Sequence, residues 1–211
     1  MPRKPKFTKE EVLTSAFEVA RKQGIEAVTA ASVAANMGYT GSSLFTHFES
    51  MDEIKQEVHA MARGKAIEFF DGSIDYFPAF KEFGMRWIRF AKNEPNLYRM
   101  IFAGNPLTPA EDVFIEFSGI IVPICKEVEE TFGISAENAK KLITSCITQA
   151  NGIALAIING FGEDYTEEKV GEDLSNMCIG MVLLFKVKDE TISLDMAKKL
   201  VGATTKMPVH K

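Results

Sequence analysis

Cysteine is scarce. The three residues, Cys125, Cys146 and Cys178, lie far apart and show no CxxC spacing. That argues against a disulfide framework or a zinc site and leaves them as small buried hydrophobes of a reducing compartment. Long apolar runs are missing too. The most apolar stretches, Phe117 to Cys125 and Gly152 to Phe161, reach about half of the roughly 20 residues that a membrane-spanning helix needs. No run alternates Val, Ile and Thr as strands require. The basic start, MPRKPKFTKE, is not followed by the apolar region of a secretory signal, so a cytoplasmic location without a membrane partner is expected. Catalytic signatures are equally thin. There is no GxSxG elbow and no glycine-rich phosphate loop, and Ser42-Ser43 is not a nucleophile motif. His59 and His210 have no partner at metal spacing, and the acidic run Glu163 to Glu168 lacks the spaced carboxylates and glycine of a calcium loop. Acidic residues there suit a helix start. No enzyme activity, cofactor or metal is expected.

What is present is helical. Phe (16 residues) and Met (10 residues) recur mostly at helical spacing in a chain of 211 residues, 46% of them apolar. This is enough for a sizeable core in one or two domains. Thr8-Lys9-Glu10-Glu11 is a capping box. Val12, Leu13, Ala16, Phe17, Val19 and Ala20 follow as one stripe, and Gly24 is the stop. Thr29 opens a second helix to about Met37, closed by Gly38. Thr40 caps a third, Gly41 to about Phe48. Ser50-Met51-Asp52-Glu53 forms another box at the head of a long helix to about Phe70. Two short helices joined by Gly38-Tyr39-Thr40 make a helix-turn-helix over about 30–48.

Leu44 and Phe48 share one face of the third helix and point into a small core. Ser42, Ser43, Thr46 and His47 project from the other sides. Small hydroxylated side chains let such a helix enter the major groove, about 12 Å wide, and bond phosphates or base edges. Gly41 permits close backbone approach. The net charge is −5, yet residues 1–50 carry six Lys/Arg against five Glu, and four of those cations fall in the first nine residues. An acidic body with a basic arm suits DNA binding through one end.

The segment VTAASVAANMGYTGSSLFTHFESMDEI resembles the DNA-binding segment of the tetracycline-repressor (TetR) family of bacterial transcription regulators. The family pattern has a Thr at the second helix, then Ala-x-x-x-Gly-Val-Ser, Leu-Tyr-x-Tyr/His-Phe and Lys-x-Glu-Leu. These places hold Thr29, Ala34 to Gly38, Tyr39, Thr40, Leu44-Phe45, His47-Phe48 and Met51-Glu53-Ile54. The resemblance implies phosphate contact at Thr29, a groove-facing surface of Thr40, Gly41, Ser42, Ser43 and Thr46, and backbone approach by Phe45 and His47. Phe45 stands in place of Tyr and Met51 in place of Lys, which removes two phosphate contacts. Lys55, one turn on, is the expected substitute, and the basic arm of Arg3, Lys4 and Lys6 is expected to reach along the backbone or into the minor groove.

The fold class implied is all-α, with about nine or ten helices. Residues 1–60 form the helix-turn-helix head, and residues 61–211 form a larger ligand-binding and dimerisation domain. Aromatics on several sides of the middle helices suggest an apolar pocket lined from Phe69, Phe70, Phe80, Phe83, Trp87, Met100, Phe102, Phe114 and Phe117. Two stripes suggest a homodimer interface. One is Ile143, Ile147, Ala150, Ala154, Ile157 and Ile158; the other is Leu174, Met177, Cys178, Met181, Val182 and Phe185. In the family such helices pair into a four-helix bundle, and two-fold symmetry implies a palindromic double-stranded DNA operator. The expected function is a repressor released from its operator by a small apolar or amphipathic ligand. The alternative is a small-molecule carrier or protein-interaction module whose head no longer reads DNA.

Overall fold

The computed structural model describes residues 7–39, 47–71, 79–103, 117–161, 165–189 and 192–204, with backbone alone at 79–81 and 201–204. Nine α-helices and no strand occur among them. They are α1 (Lys9–Gln23), α2 (Ala30–Asn36), α3 (Met51–Phe70), α4 (Ala79–Asn93), α5 (Pro95–Phe102), α6 (Ser118–Phe132), α7 (Ala136–Ala156), α8 (Glu167–Lys188) and α9 (Leu194–Thr204). Two compact units result, Met1–Gly72 with Arg89–Phe117 and Ser73–Ile88 with Ser118–Lys211.

In the first unit α1 packs against α2, α3 and α5, and α3 packs against α5. The caps are those the residue types favour. Thr8 and Glu11 form a reciprocal capping box on α1, and Thr29 and Ser32 form one on α2. Ser50 caps α3 by accepting from the Glu53 amide, but the Glu53 carboxylate accepts from the Glu49 amide at 2.7 Å rather than returning to Ser50. The box expected there is therefore half formed, displaced by one residue. Val12, Ala16, Val19 and Ala20 bury one face of α1. On α3 every fourth residue from Ile54 (Val58, Ala62, Ala66, Phe70) is wholly buried, because positions four apart stack on one side of a helix. Each large apolar side chain so buried contributes roughly 1.5–3 kcal/mol before the cost of ordering the chain. Two alanines in the row let α3 run close to its neighbours, and enlarging either would overpack the core by roughly 1–3 kcal/mol. Arg21 at the end of α1 grips Glu94, the N-cap residue of α5, through Nε–Oε2 at 2.8 Å and Nη2–Oε1 at 2.5 Å. The Asn96 amide donates to the Arg21 carbonyl at 3.0 Å.

In the second unit α6 packs on α7, α7 on α8, and α8 on α9. Ser135 caps α7 and Thr166 caps α8. The α7–α8 seam brings the Cys146 and Cys178 thiols to 3.0 Å. Their mutual hydrogen bond and then burial push the Cys146 thiol well above its ordinary range. Gly84 is buried on α4, where an added Cβ would lie 3.0 Å from Leu174 Cδ1 of α8. Beyond α7 the chain makes a π-turn, Ile157–Phe161, broken at Gly160, whose φ of 90° suits a residue without a Cβ.

Two expectations change here. Ile143, Ile147, Ala150 and Ala154 of α7, with Leu174, Cys178, Val182 and Phe185 of α8, are buried within this single chain. Eight of the twelve residues expected at a subunit interface are thus core, because α6 and α8 cover the apolar side of α7. Ile157, Ile158, Met177 and Met181 are half-buried. The second change is that Ala136–Phe161 is by length and composition apolar enough to cross a membrane. Its exposed residues, however, include Lys140, Lys141, Thr144 and Thr148.

Candidate nucleic-acid interface

The head is held together by a buried hydroxyl. Ser15 of α1 donates to the Val33 carbonyl at 3.1 Å and accepts from the Asn36 amide at 3.0 Å, tying α1 to α2. A buried hydroxyl is tolerated because both its roles are filled. At the end of α2 the Gly38 amide bonds the Ala35 carbonyl, and the Tyr39 amide bonds the Ala34 carbonyl. With Gly38 at φ 67° this is a Schellman closure, which needs a left-handed residue at that place. It sets the direction in which the chain leaves α2. Of the expected DNA-contacting residues, Arg3, Lys4, Lys6, Thr40, Gly41, Ser42, Ser43, Phe45 and Thr46 lie outside the described residues.

Three are described. Thr29 is exposed at the start of α2. Its hydroxyl accepts from the Ser32 amide at 3.1 Å and donates to the Ser32 hydroxyl at 3.1 Å, so a phosphate contact would have to take over that hydrogen. His47 is half-buried, and its Nε2 lies 2.7 Å from the carbonyl oxygen of Phe7. Lys55 sits half-buried on α3, one turn after Met51, the first residue of that helix. The sequence did not single out Phe7 or Tyr39. Their rings meet edge to face at 5.2 Å and 71°, so the start of α1, the turn after α2 and the approach to α3 converge on Phe7. The signal available was two aromatics flanking capped helices, which does not say that they touch.

Charge in the head is mostly neutralised locally. Lys9 lies 3.5 Å from Glu57 and 3.9 Å from Glu53, with its ammonium 5.0 Å from the centre of the Phe48 ring. Lys22 pairs with Glu18 at 3.5 Å, and Arg21 is held by Glu94. An open cleft of about 650 Å³ beside Phe7 is bordered by Glu10, Glu11 and Glu18, a face that phosphate would avoid.

The aromatic residues expected around a pocket fall into two groups. In the first unit Phe69 packs on Phe90 at 5.3 Å, Phe70 on Phe117 at 5.5 Å and Phe102 on Phe117 at 5.9 Å. Phe90 and Tyr98, both wholly buried, complete that cluster, and Met100 is buried as well. In the second unit Phe83 packs on Trp87 at 5.9 Å. The unit boundary after Ile88 falls inside α4. Phe80 is described by backbone alone, and Phe114 lies outside the described residues.

Residues 12–58 match the family model of bacterial regulatory proteins of the tetR family. No curated protein matches the chain. Among solved structures, a transcriptional regulator from Rhodococcus sp. Rha1 superposes with a TM-score of 0.57 at 18% identity, over 84% of this chain and 97% of that one. That likeness establishes a shared fold. A structure from Shewanella sp. PV-4 described as a tetR family transcription regulator gives 0.49 at 14% identity, over 85% of this chain and 96% of that one. The match spans α1, α2 and the first part of α3, the elements whose caps and Gly38 turn build the helix-turn-helix head. The similarity to the tetR family of bacterial regulatory proteins lies in this head, residues 12–58 of the 211.

Proposed function

We propose that this regulator is a homodimeric, ligand-responsive repressor. Residues 1–60 would dock on double-stranded DNA, and the remainder would sense a small apolar or amphipathic molecule. The observation that carries the DNA-binding part is the head: two capped helices locked by Ser15 and Asn36, with the Gly38 closure leading straight into the hydroxyl-rich segment Thr40–Thr46. The ligand part is supported by the density of aromatic and methionine side chains, which present adaptable apolar surface. A ligand that binds better to a conformation in which the two heads are wrongly spaced drains the DNA-competent population.

The dimer is supported by faces of α7 and α8 other than those the stripes suggested. Thr144, Thr148 and Gly152 on α7 and Ile179, Gly180 and Leu184 on α8 are exposed, and Ile179 and Leu184 keep 45% and 50% of their surface. Small residues beside large apolar ones suit close packing of helices from two subunits. A palindromic operator follows from the two-fold axis.

Selection from a random pool of duplexes, followed by binding at several salt concentrations, tests the DNA-binding part. A two-fold symmetric consensus with a steep salt slope is expected; a pool without enrichment would favour the carrier alternative instead. Displacement of apolar dyes, scored beside thermal shift, tests the ligand part, and a protein to which none of them binds contradicts it.

A further inference from the structure

We propose that Cys146 and Cys178 form an oxidation site, at which a hydroperoxide converts the two thiols into a disulfide within the chain that pins α7 to α8. The site stands independently of the DNA-binding reading. Its basis is geometric. The two sulfurs lie 3.0 Å apart, and they belong to different helices of the second unit. A disulfide sulfur pair sits at about 2.05 Å, so the bond asks for a movement of about 1 Å. Cys146 and Cys178 keep 5% and 2% of their surface. Leu142, Ala150, Leu174 and Val182, four residues to either side of them, are buried as well. The seam is therefore apolar, and the thiols meet inside a single chain. No metal-binding group of three or more His, Cys, Asp or Glu residues occurs among the described residues. The remaining cysteine, Cys125, sits half-buried on α6.

Two steps carry the oxidation. One sulfur, as thiolate, attacks an oxygen of hydrogen peroxide. The O–O bond breaks, and hydroxide leaves and takes up the proton that the thiol released, giving water and a sulfenic acid. The second sulfur then attacks the sulfenic sulfur. The S–S bond forms, the S–O bond breaks, and the oxygen departs as water with the second thiol's proton. Two electrons pass from the sulfurs to the peroxide, and two waters result. The second step is fast because its partner is already in contact. A sulfenic acid that lingers is oxidised onward to sulfinic acid, which thiols do not reduce, so the neighbouring sulfur keeps the change reversible. The first step is slow. The hydrogen bond between the thiols and then burial keep Cys146 protonated, whereas thiolate is the reacting form. In the reducing compartment expected for this chain the thiols are the resting state, and the disulfide forms when peroxide rises.

The test treats the reduced full chain with graded hydrogen peroxide, once as wild type and once with Cys125→Ser to remove the third thiol. Remaining thiols are then alkylated in denaturant, and the chain is weighed whole and after trypsin. Lys169 lies between the two cysteines, so cleavage puts them on separate peptides. The expected product has lost two hydrogens, holds those two peptides together, stays a single chain on a non-reducing gel, and reverts with dithiothreitol. Closing a loop that spans 32 residues should raise Tm by roughly 5–10 °C over the reduced chain. Cys178→Ala should abolish that gain and leave Cys146 to collect oxygen atoms that dithiothreitol does not remove. Thiols that stay fully alkylatable at peroxide levels sufficient to oxidise the denatured chain would overturn the site. Oxygen addition without linkage in the wild type would overturn it as well, as would a link between chains instead of within one. A linked chain with a lowered Tm would show that the bond forms only after the seam has opened, which also contradicts the proposal. If Cys178→Ala does not fold, the peptide linkage and Tm of the Cys125→Ser chain decide alone.

Discussion

His47 donates from Nε2 to the carbonyl of Phe7, forty residues earlier in the chain, across 2.7 Å. The partner fixes the tautomer: a neutral His47 ring carries its hydrogen on Nε2 and its lone pair on Nδ1. Long-range proton–nitrogen correlation spectra should therefore show His47 as the Nε2–H form. Losing this half-buried bond should lower the stability of a His47→Ala chain by about 1 kcal/mol in urea unfolding. A ring found in the Nδ1–H form would mean that the contact is not made in solution.

Arg21 and Glu94 give a second long-range prediction. The guanidinium meets the carboxylate through two nitrogens, and the Glu94 side chain keeps only 11% of its surface. The hydrogen bond to Glu94 and then its charge push the Arg21 pKa above its ordinary value. Arg21 itself is well exposed, so solvent screens part of the gain. Arg21→Ala and Glu94→Ala should each cost about 1–2 kcal/mol. The double variant should cost much less than the sum of the two, because the second change removes a partner already lost. Additive losses would show that the pair is ornamental to stability.

These two contacts mark where the sequence stops being legible. The caps at Thr8, Thr29, Ser135 and Thr166 could be foreseen because each joins a side chain to an amide three residues on. The buried rows on α1 and α3 could be foreseen from period alone. Arg21 and Glu94 are 73 residues apart, and nothing local in either segment names the other. The α7 and α8 stripes show the same limit differently. Periodicity reported that Ile143, Ile147, Leu174 and Val182 are covered, and they are. It does not report what covers them, and here each helix covers the other. Of the proposed DNA-facing surface, Gly38 and the Thr29 cap were readable, whereas the aromatic grip on Phe7 depends on three segments meeting in space.

His59 makes stability depend on pH. It is 2% exposed on α3, and burial first, then the charge of Arg63 one turn on, lowers its pKa below the ordinary value of 6.5. The unfolded chain therefore takes up the proton more readily than the folded one. Stability is complete above about pH 6.5 and is lost as pH falls through that value toward the lower folded pKa, levelling off once the folded state is protonated too. The slope can reach about 1.4 kcal/mol per pH unit. Urea unfolding between pH 7.5 and pH 5 should show this decline, and His59→Leu should flatten it. A Leu variant with the wild-type slope would assign the decline to other groups.

The proposed dimer turns on which faces of α7 and α8 are left open. Ile179 and Leu184 are exposed on α8, whereas Ala150 on α7 is wholly buried in the seam. Charge placed on an open face should separate subunits without unfolding them. Ile179→Glu combined with Leu184→Glu should turn a dimeric mass at micromolar concentration into a monomeric one by light scattering. The unfolding free energy of each subunit should change by less than about 0.5 kcal/mol, as surface changes do. Ala150→Glu makes the opposite case. A carboxylate forced into the α7–α8 seam has no partner there, and the cost of about 3 kcal/mol or more should unfold the chain at any concentration. Equal unfolding by both kinds of variant would mean that Ile179 and Leu184 are needed inside the fold. An unaltered dimeric mass in the Ile179/Leu184 variant would move the interface to another face.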